Sequence, residues 1–131
     1  MERKLAHEGL TGEILAACIE VHRHLGPGLL ESAYERCLAH ELGLRGIRFL
    51  RQREVPVRYK EVVLGCGYRV DFDVEGLALL EIKAVERLLP VHEAQVLTYL
   101  RLLGRPVGLL VNFHVPAIRQ SAIRRLQWRH R

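Results

Sequence analysis

Three consecutive stretches in the second half of the chain constrain its fold most. Leu77 to Lys83 alternates in period two, Pro90 to Leu103 repeats at helical spacing, and Val107 to Phe113 is a nearly continuous apolar run. An alternating strand buries one face, whereas a short continuous apolar run suits a strand covered on both. Pro90 suits a first helical turn and Gly104 suits the stop after the last. A strand, a helix and a buried strand in series call for a crossover onto a parallel neighbour. Helices must then cover the faces of the sheet, which places the chain in the α/β class with a mixed sheet.

The remaining segments fill in around this unit. Leu10, Ile14, Ala17, Cys18, Val21 and Leu25 form one helical stripe, and Gly26-Pro27-Gly28 breaks it. A second stripe follows at Leu30, Ala33, Tyr34, Cys37, Leu38 and Leu42, ended by Gly43 or Gly46. Glu54 to Tyr59 and Tyr68 to Val74 read as strands, and Ile118 to Trp128 reads as a last helix. The expected order is α-α-β-β-β-α-β-α, in a single domain spanning residues 1–131. With 49% hydrophobic and 27% charged residues, a packed core is expected rather than disorder. No apolar run reaches the ~18–20 residues of a membrane span, and Met1-Glu2-Arg3-Lys4 does not begin a secretory signal, so no membrane partner is expected. Cys18, Cys37 and Cys66 form no CxxC pair. Cys18 and Cys37 fall on apolar stripes and are expected in the core. A reduced, cytoplasmic protein is the default.

Side-chain type fixes the register of the central hairpin. A three-residue loop opposes Val74 to Ala78, Phe72 to Leu80 and Val70 to Ile82, all apolar on one face. The other face then carries Asp73/Leu79, Asp71/Glu81 and Arg69/Lys83. A two-residue loop would mix the faces, so the first register is expected, with Gly76 in a left-handed position. It sets two carboxylates directly opposite each other, which is unfavourable unless something positive lies between them. Lys83 leaves the same face. Two oxygen ligands suit a hard cation such as Mg²⁺, and a nearby ammonium can orient a water or stabilise charge on a phosphate. The spacing alone therefore points to metal-assisted hydrolysis of an anionic ester. Equally, such residues often merely solubilise an exposed strand face.

Two helices carry further polar groups. His92, Gln95 and Tyr99 share a helix face, where Gln95 can bond a carboxylate, a water or a phosphate, and Tyr99 can hold a phosphate or pack on the sheet. Glu31 and Tyr34 follow the Gly-Pro-Gly break, and the helix dipole alone favours an acid at Glu31. The formal net charge of +5 permits a polyanionic partner, and the arginine-rich end (Arg119, Arg124, Arg125, Arg129, Arg131) could grip a phosphate backbone.

These residues resemble a known family. Gly28-Leu29-Leu30-Glu31-Ser32-Ala33-Tyr34 resembles the signature of the GxxExxY protein family. Tyr68-Arg69-Val70-Asp71, Leu80-Glu81-Ile82-Lys83-Ala84-Val85, His92-Glu93-Ala94-Gln95 with Tyr99, and Gly108 to Phe113 are similar to its later motifs. The likeness covers about residues 10–126, and departs from the family where His114 stands in place of a frequent glycine. That family is assigned to the PD-(D/E)XK nuclease-like superfamily. The resemblance implies a restriction-endonuclease-like αβββαβ core with an extra N-terminal helix. It implies Asp71 and Glu81 as metal ligands for Mg²⁺ or Mn²⁺, and Lys83 as the catalytic lysine. Gln95-x-x-x-Tyr99 is similar to the helix motif of RecB-like and lambda-exonuclease-like members, and Glu31 is then their extra acid.

The expected function is metal-dependent hydrolysis of phosphodiester bonds in DNA or RNA. Asp71, Glu81 and Glu31 would hold the metal, with the Ile82 carbonyl as a further ligand. Lys83 would position the attacking water, and Gln95, Tyr99 and Tyr34 would support the shell or the phosphate. One rival is a nuclease fold that no longer cuts and serves as a nucleic-acid- or protein-binding module. Another is a hydrolase of small phosphate esters. A chain this short can also form a homodimer to build a groove.

Overall fold

The computed structural model describes residues 7–129. The leader reading at Met1–Lys4 and the terminal Arg131 lie outside them. Helix α1, Glu8–Leu25, buries Ile14, Ala17, Cys18 and Val21 on one stripe. It ends at Gly26, whose φ of 68° is open to glycine at little cost. Helix α2, Glu31–Leu44, buries Tyr34, Leu38 and Leu42, which recur at i, i+4 and i+8. This stripe is narrower than the sequence suggests. Cys37 lies beside it and is exposed, not in the core, while Cys18 is fully buried. Each fully buried leucine of these stripes contributes about 1.5–3 kcal/mol. Among the described residues no helix is long and apolar enough to cross a membrane.

The main sheet has five strands in the order β1-β4-β5-β6-β7. They are β1 (Phe49–Glu54), β4 (Arg69–Val74), β5 (Ala78–Lys83), β6 (Val107–Asn112) and β7 (Ile123–Gln127). Among the described residues only β5 and β6 run parallel, joined by helix α3, Pro90–Leu103, as the crossover requires. All six residues of β6 are buried. One face of the sheet packs on α1 and α2 through Phe72, Val74, Leu80, Ile82, Leu109 and Val111. The other packs on α3 through Val70, Leu79, Leu110, Val96 and Leu100. The α2-β1-β4-β5-α3-β6 series is the αβββαβ core expected, with α1 in front of it. The fold is mixed α/β, consistent with a restriction-endonuclease-like architecture.

Three further expectations are corrected. Ile118 to Trp128 is not a helix: a single 3₁₀ turn, Gln120–Ala122, leads into β7, which pairs antiparallel with β6. The buried β6 would otherwise leave one row of backbone groups unpaired. The basic residues Arg124 and Arg125 therefore lie on an edge strand. Glu54 to Tyr59 is not one strand: β1 ends at Glu54, and β2 (Val57–Tyr59) pairs with β3 (Val62–Leu64) in a separate two-stranded ribbon. Pro56 has no N–H for a ladder. Val55 is fully buried against the α3 side, whereas Tyr59, Val62, Val63 and Leu64 are exposed. Neither strand of the ribbon packs extensively on another element. Finally, Val70 does not share a face with Ile82; it joins the α3 side.

Gly108 shows how closely α3 lies on β6. A Cβ there would sit 2.7 Å from Val96 Cγ1 and 3.2 Å from Leu100 Cδ2. Valine is too stiff to give way easily. Gly108→Ala is therefore expected to destabilise by about 1–3 kcal/mol. A denaturant midpoint equal to the parent's would show that α3 shifts freely.

Candidate active site

The β4–β5 hairpin turns through Glu75 and Gly76, both left-handed at φ 54° and 65°. Leu77 N–H closes the turn onto Val74 O at 2.9 Å. The ladder pairs Val74 with Ala78, Asp73 with Leu79 and Phe72 with Leu80, in the expected register. Beyond Phe72 the backbone ladder stops. In its place the two carboxylates cross over. Asp71 N–H donates to Glu81 Oε1 at 2.7 Å, and Ile82 N–H donates to Asp71 Oδ2 at 2.8 Å. The expected backbone pairs Val70/Ile82 and Arg69/Lys83 are absent from the ladder. The strands splay at the place where the acids face each other, and each acid occupies an amide the ladder has released.

The two aspartates of this strand have different fates. Asp73, 2% exposed, is held by Arg105, with Nε to Oδ1 at 3.0 Å and Nη2 to Oδ2 at 2.8 Å. Arg53 approaches at 3.9 Å. A bidentate guanidinium satisfies this buried charge. Asp71 has no such cation among the described residues. Burial pushes its carboxyl up to about 6, and the nearby Glu35 adds to the rise, against the Ile82 amide. Burial, and then the Asp71 charge, pushes Glu81 up to about 8; Lys83 pulls the other way, and Glu31 adds repulsion. Two buried carboxyls face each other here, and burial works against the charged form of both.

Lys83 is half-buried at the end of β5, beside Asn112 in the parallel register. Its carbonyl accepts from Phe113 N–H at 2.8 Å. Asn112 closes the same end: its Oδ1 accepts from the amides of Val85 and His114, and its Nδ2 donates to Val85 O at 2.8 Å. Tyr99, from α3, lies within electrostatic reach of Glu81 and Asp71. Burial, then those charges and Tyr68, push its phenol up to about 12, so it stays a donor. Gln95 is half-buried one turn earlier on α3. Among the described residues it has no hydrogen-bond partner. His92 instead caps its helix, its Nδ1 accepting from Leu89 N–H at 3.0 Å. Glu31 is exposed and touches the site only through its charge on Glu81. Ile82 turns its side chain into the opposite core, so only its backbone can serve the site.

Tyr34 is not brought into the site. Its hydroxyl donates to Gly26 O at 2.6 Å and accepts from Leu29 N–H at 3.2 Å, and its ring lies 4.7 Å from that of Phe113. It braces the Gly-Pro-Gly turn that launches α2. Three residues that the sequence reading passed over do reach the site. Glu35 bonds Arg51 at 2.6 Å and also accepts from Gln52 Nε2, which donates to Asp71 Oδ1 at 3.2 Å. The signal for Glu35 was available, since it lies four residues after Glu31 on the same helix face. Nothing in the spacing marks Gln52, which adopts a left-handed φ of 49° within β1. Such a conformation costs a non-glycine residue of order 1–3 kcal/mol.

The donor set fits a hard divalent ion. Its donors are all oxygens, set on two carboxyls that burial first of all raises. Among the described residues no three His, Cys, Asp or Glu side chains form a ready cage. A hard ion that keeps several waters needs only one or two carboxylates. A separate hollow of about 620 Å³ lies at the turn end of the hairpin, and its arginines are already engaged, Arg105 by Asp73 and Arg48 by Glu75.

Searches of curated proteins and of solved structures each found no match. The model of the PD-(D/E)XK nuclease superfamily matches residues 8–126. That span takes in α1 through β6 and most of β7, including the crossed carboxylates, Lys83 and the helix that carries Gln95 and Tyr99. Nucleases of this kind typically use divalent metals and act on nucleic acid. The chain belongs to the PD-(D/E)XK nuclease superfamily.

Proposed function

We propose that this chain is a Mg²⁺- or Mn²⁺-dependent nuclease of the GxxExxY type, hydrolysing phosphodiester bonds in nucleic acid. One observation carries the reading: Asp71 and Glu81 are locked across a splayed hairpin, with no cation paired to Asp71 among the described residues, and Lys83 follows on the same strand. Asp71, Glu81 and the Ile82 carbonyl would hold the ion, with Glu31 reaching it through water. When bound, such an ion stabilises charge on a phosphate oxygen and lowers the pKa of water.

The chain's own groups do the rest. The Lys83 ammonium orients the attacking water and opposes charge growing on the phosphate. The Tyr99 phenol, kept protonated, donates to a phosphate oxygen. Gln95 offers a half-buried amide from the same helix face, with no side-chain partner among the described residues to leave. Tyr34 acts at one remove, fixing the turn that aims Glu31. The three free cysteines, Cys18, Cys37 and Cys66, suit a reducing cytoplasmic setting.

The test is cleavage of labelled single- and double-stranded DNA and RNA, with Mg²⁺, with Mn²⁺ and with chelator. Metal-dependent cleavage of one of these is expected. Tight, salt-sensitive binding without cleavage would instead favour a nuclease fold kept as a binding module. Turnover of small phosphate esters alone would move the substrate class.

A further inference from the structure

We propose that Gln52 is a positioning residue for Asp71, fixing the orientation of that carboxylate by bridging it to Glu35. The proposal rests on the nuclease reading and extends it to residues outside the expected motifs. A carboxamide nitrogen carries two hydrogens, and here both face acids. Gln52 Nε2 donates to Glu35 Oε1, on α2, and to Asp71 Oδ1, on β4, at 3.2 Å. The other Asp71 oxygen accepts from Ile82 N–H at 2.8 Å. The carboxylate is thus held at both ends, which fixes its plane. Glu35 is anchored in turn by Arg51 Nη2 at 2.6 Å, so the bridge has a fixed base.

The chemistry of the bridging group suits this task. A lysine or arginine at position 52 would pair with Asp71 and compete with a cation for it. An amide donates hydrogen bonds but brings no charge, so it orients the ligand and leaves its charge available. It also bridges two acids whose charges oppose each other.

The backbone supplies an independent observation. Strand β1 pairs Arg51 with Phe72 and Arg53 with Val70, but the pair between them, Gln52 with Asp71, is missing. Gln52 has the left-handed φ of 49° at that step. The residue that leaves the ladder is the one whose side chain meets the site. Unfavourable backbone kept at one residue of a strand marks a place where function outweighs local preference.

The experiment compares the parent with Gln52→Met, which keeps length and removes both donors, and with Gln52→Asn, which restores a donor on a shorter arm. Mn²⁺ affinity is read by titration calorimetry, and kcat and KM on the best cleaved nucleic acid. Gln52→Met is expected to weaken Mn²⁺ binding and to lower kcat about tenfold or more, with KM within about twofold. Gln52→Asn should recover part of both losses. In the parent, NMR should show the Gln52 carboxamide protons slowed in exchange, and Glu35→Ala should release them. If Gln52→Met keeps parental Mn²⁺ affinity and kcat, or if its carboxamide protons exchange freely in the parent, the positioning role is overturned while the nuclease reading stands. If the parent neither binds Mn²⁺ nor cuts, the nuclease reading falls first and this role with it.

Discussion

Lys83→Ala is expected to lower kcat for metal-dependent cleavage by about 10²–10³-fold while the protein melts as the parent does. The magnitude is that of removing one preorganised group from developing charge. The unchanged melting follows from the way Lys83 is held. The contacts that fix its position are backbone ones: its carbonyl bonds Phe113 N–H, and it pairs with Asn112 in the parallel ladder. The residue is half-buried, and its ammonium forms no ion pair within 4.0 Å among the described residues. Removing it also removes the charge that lowers the Glu81 carboxyl, so Glu81 should hold its proton to higher pH. Thermal melts with single-turnover cleavage decide the matter. Loss of activity together with a lost melting transition would make Lys83 a structural residue. Parental cleavage by Lys83→Ala would remove it from the mechanism.

Metal-free protein is expected to lose stability as pH rises from about 5 to about 9, and divalent cation should restore it. The sign follows from two carboxyls raised on folding: Glu81 from 4.5 to about 8 and Asp71 from 3.8 to about 6. Between the unfolded and folded values the unfolded chain has released protons that the folded chain keeps. Stability is therefore full below the unfolded values and falls as pH passes through the folded ones. A drop of several degrees in melting temperature is expected in chelator. Mn²⁺ should raise the melting temperature more at about pH 8 than at about pH 5, because protons compete with the ion. Glu81→Gln carries no charge and should flatten the profile. Chelator-treated parent protein with no pH dependence across this range would contradict the picture of two uncompensated carboxyls.

Much of this was legible in the sequence because period and punctuation agreed. Pro90 and Gly104 bound α3, and the apolar run from Val107 gave the buried parallel strand. The hairpin register followed from matching apolar faces up to Phe72. It failed at Asp71, where each acid finds a better partner in a backbone amide than in the ladder. Face alternation is lost there too, which is why Val70 was assigned to the wrong side. β7 was illegible for a different reason. Ile118, Ala122, Ile123 and Leu126 fall at helical spacing, and all of β7 except Gln127 is half-buried, so no period-two signal exists. The need of β6 for an outer neighbour decides it, and that need is tertiary. The link from Glu35 through Gln52 was hidden for the same reason: α2 and β1 meet only in the folded chain.

The β2–β3 ribbon is a continuation of the β1–β4 pair. Val55 N–H still bonds Tyr68 O at 2.8 Å between them. Beyond that bond neither core protects the backbone, so its amides should exchange with solvent at a small fraction of the global unfolding free energy. Inward, Phe72 and Val74 are fully buried and should open only with the whole domain. Asp71 lies between, where the ladder is already parted. The candidate ligand thus sits just inside the boundary between backbone that breathes and backbone that does not, behind the buried Val55 and Val70. An opening that travels in from the ribbon must therefore part the buried Val55 and Val70 from the α3 side before it loosens Asp71.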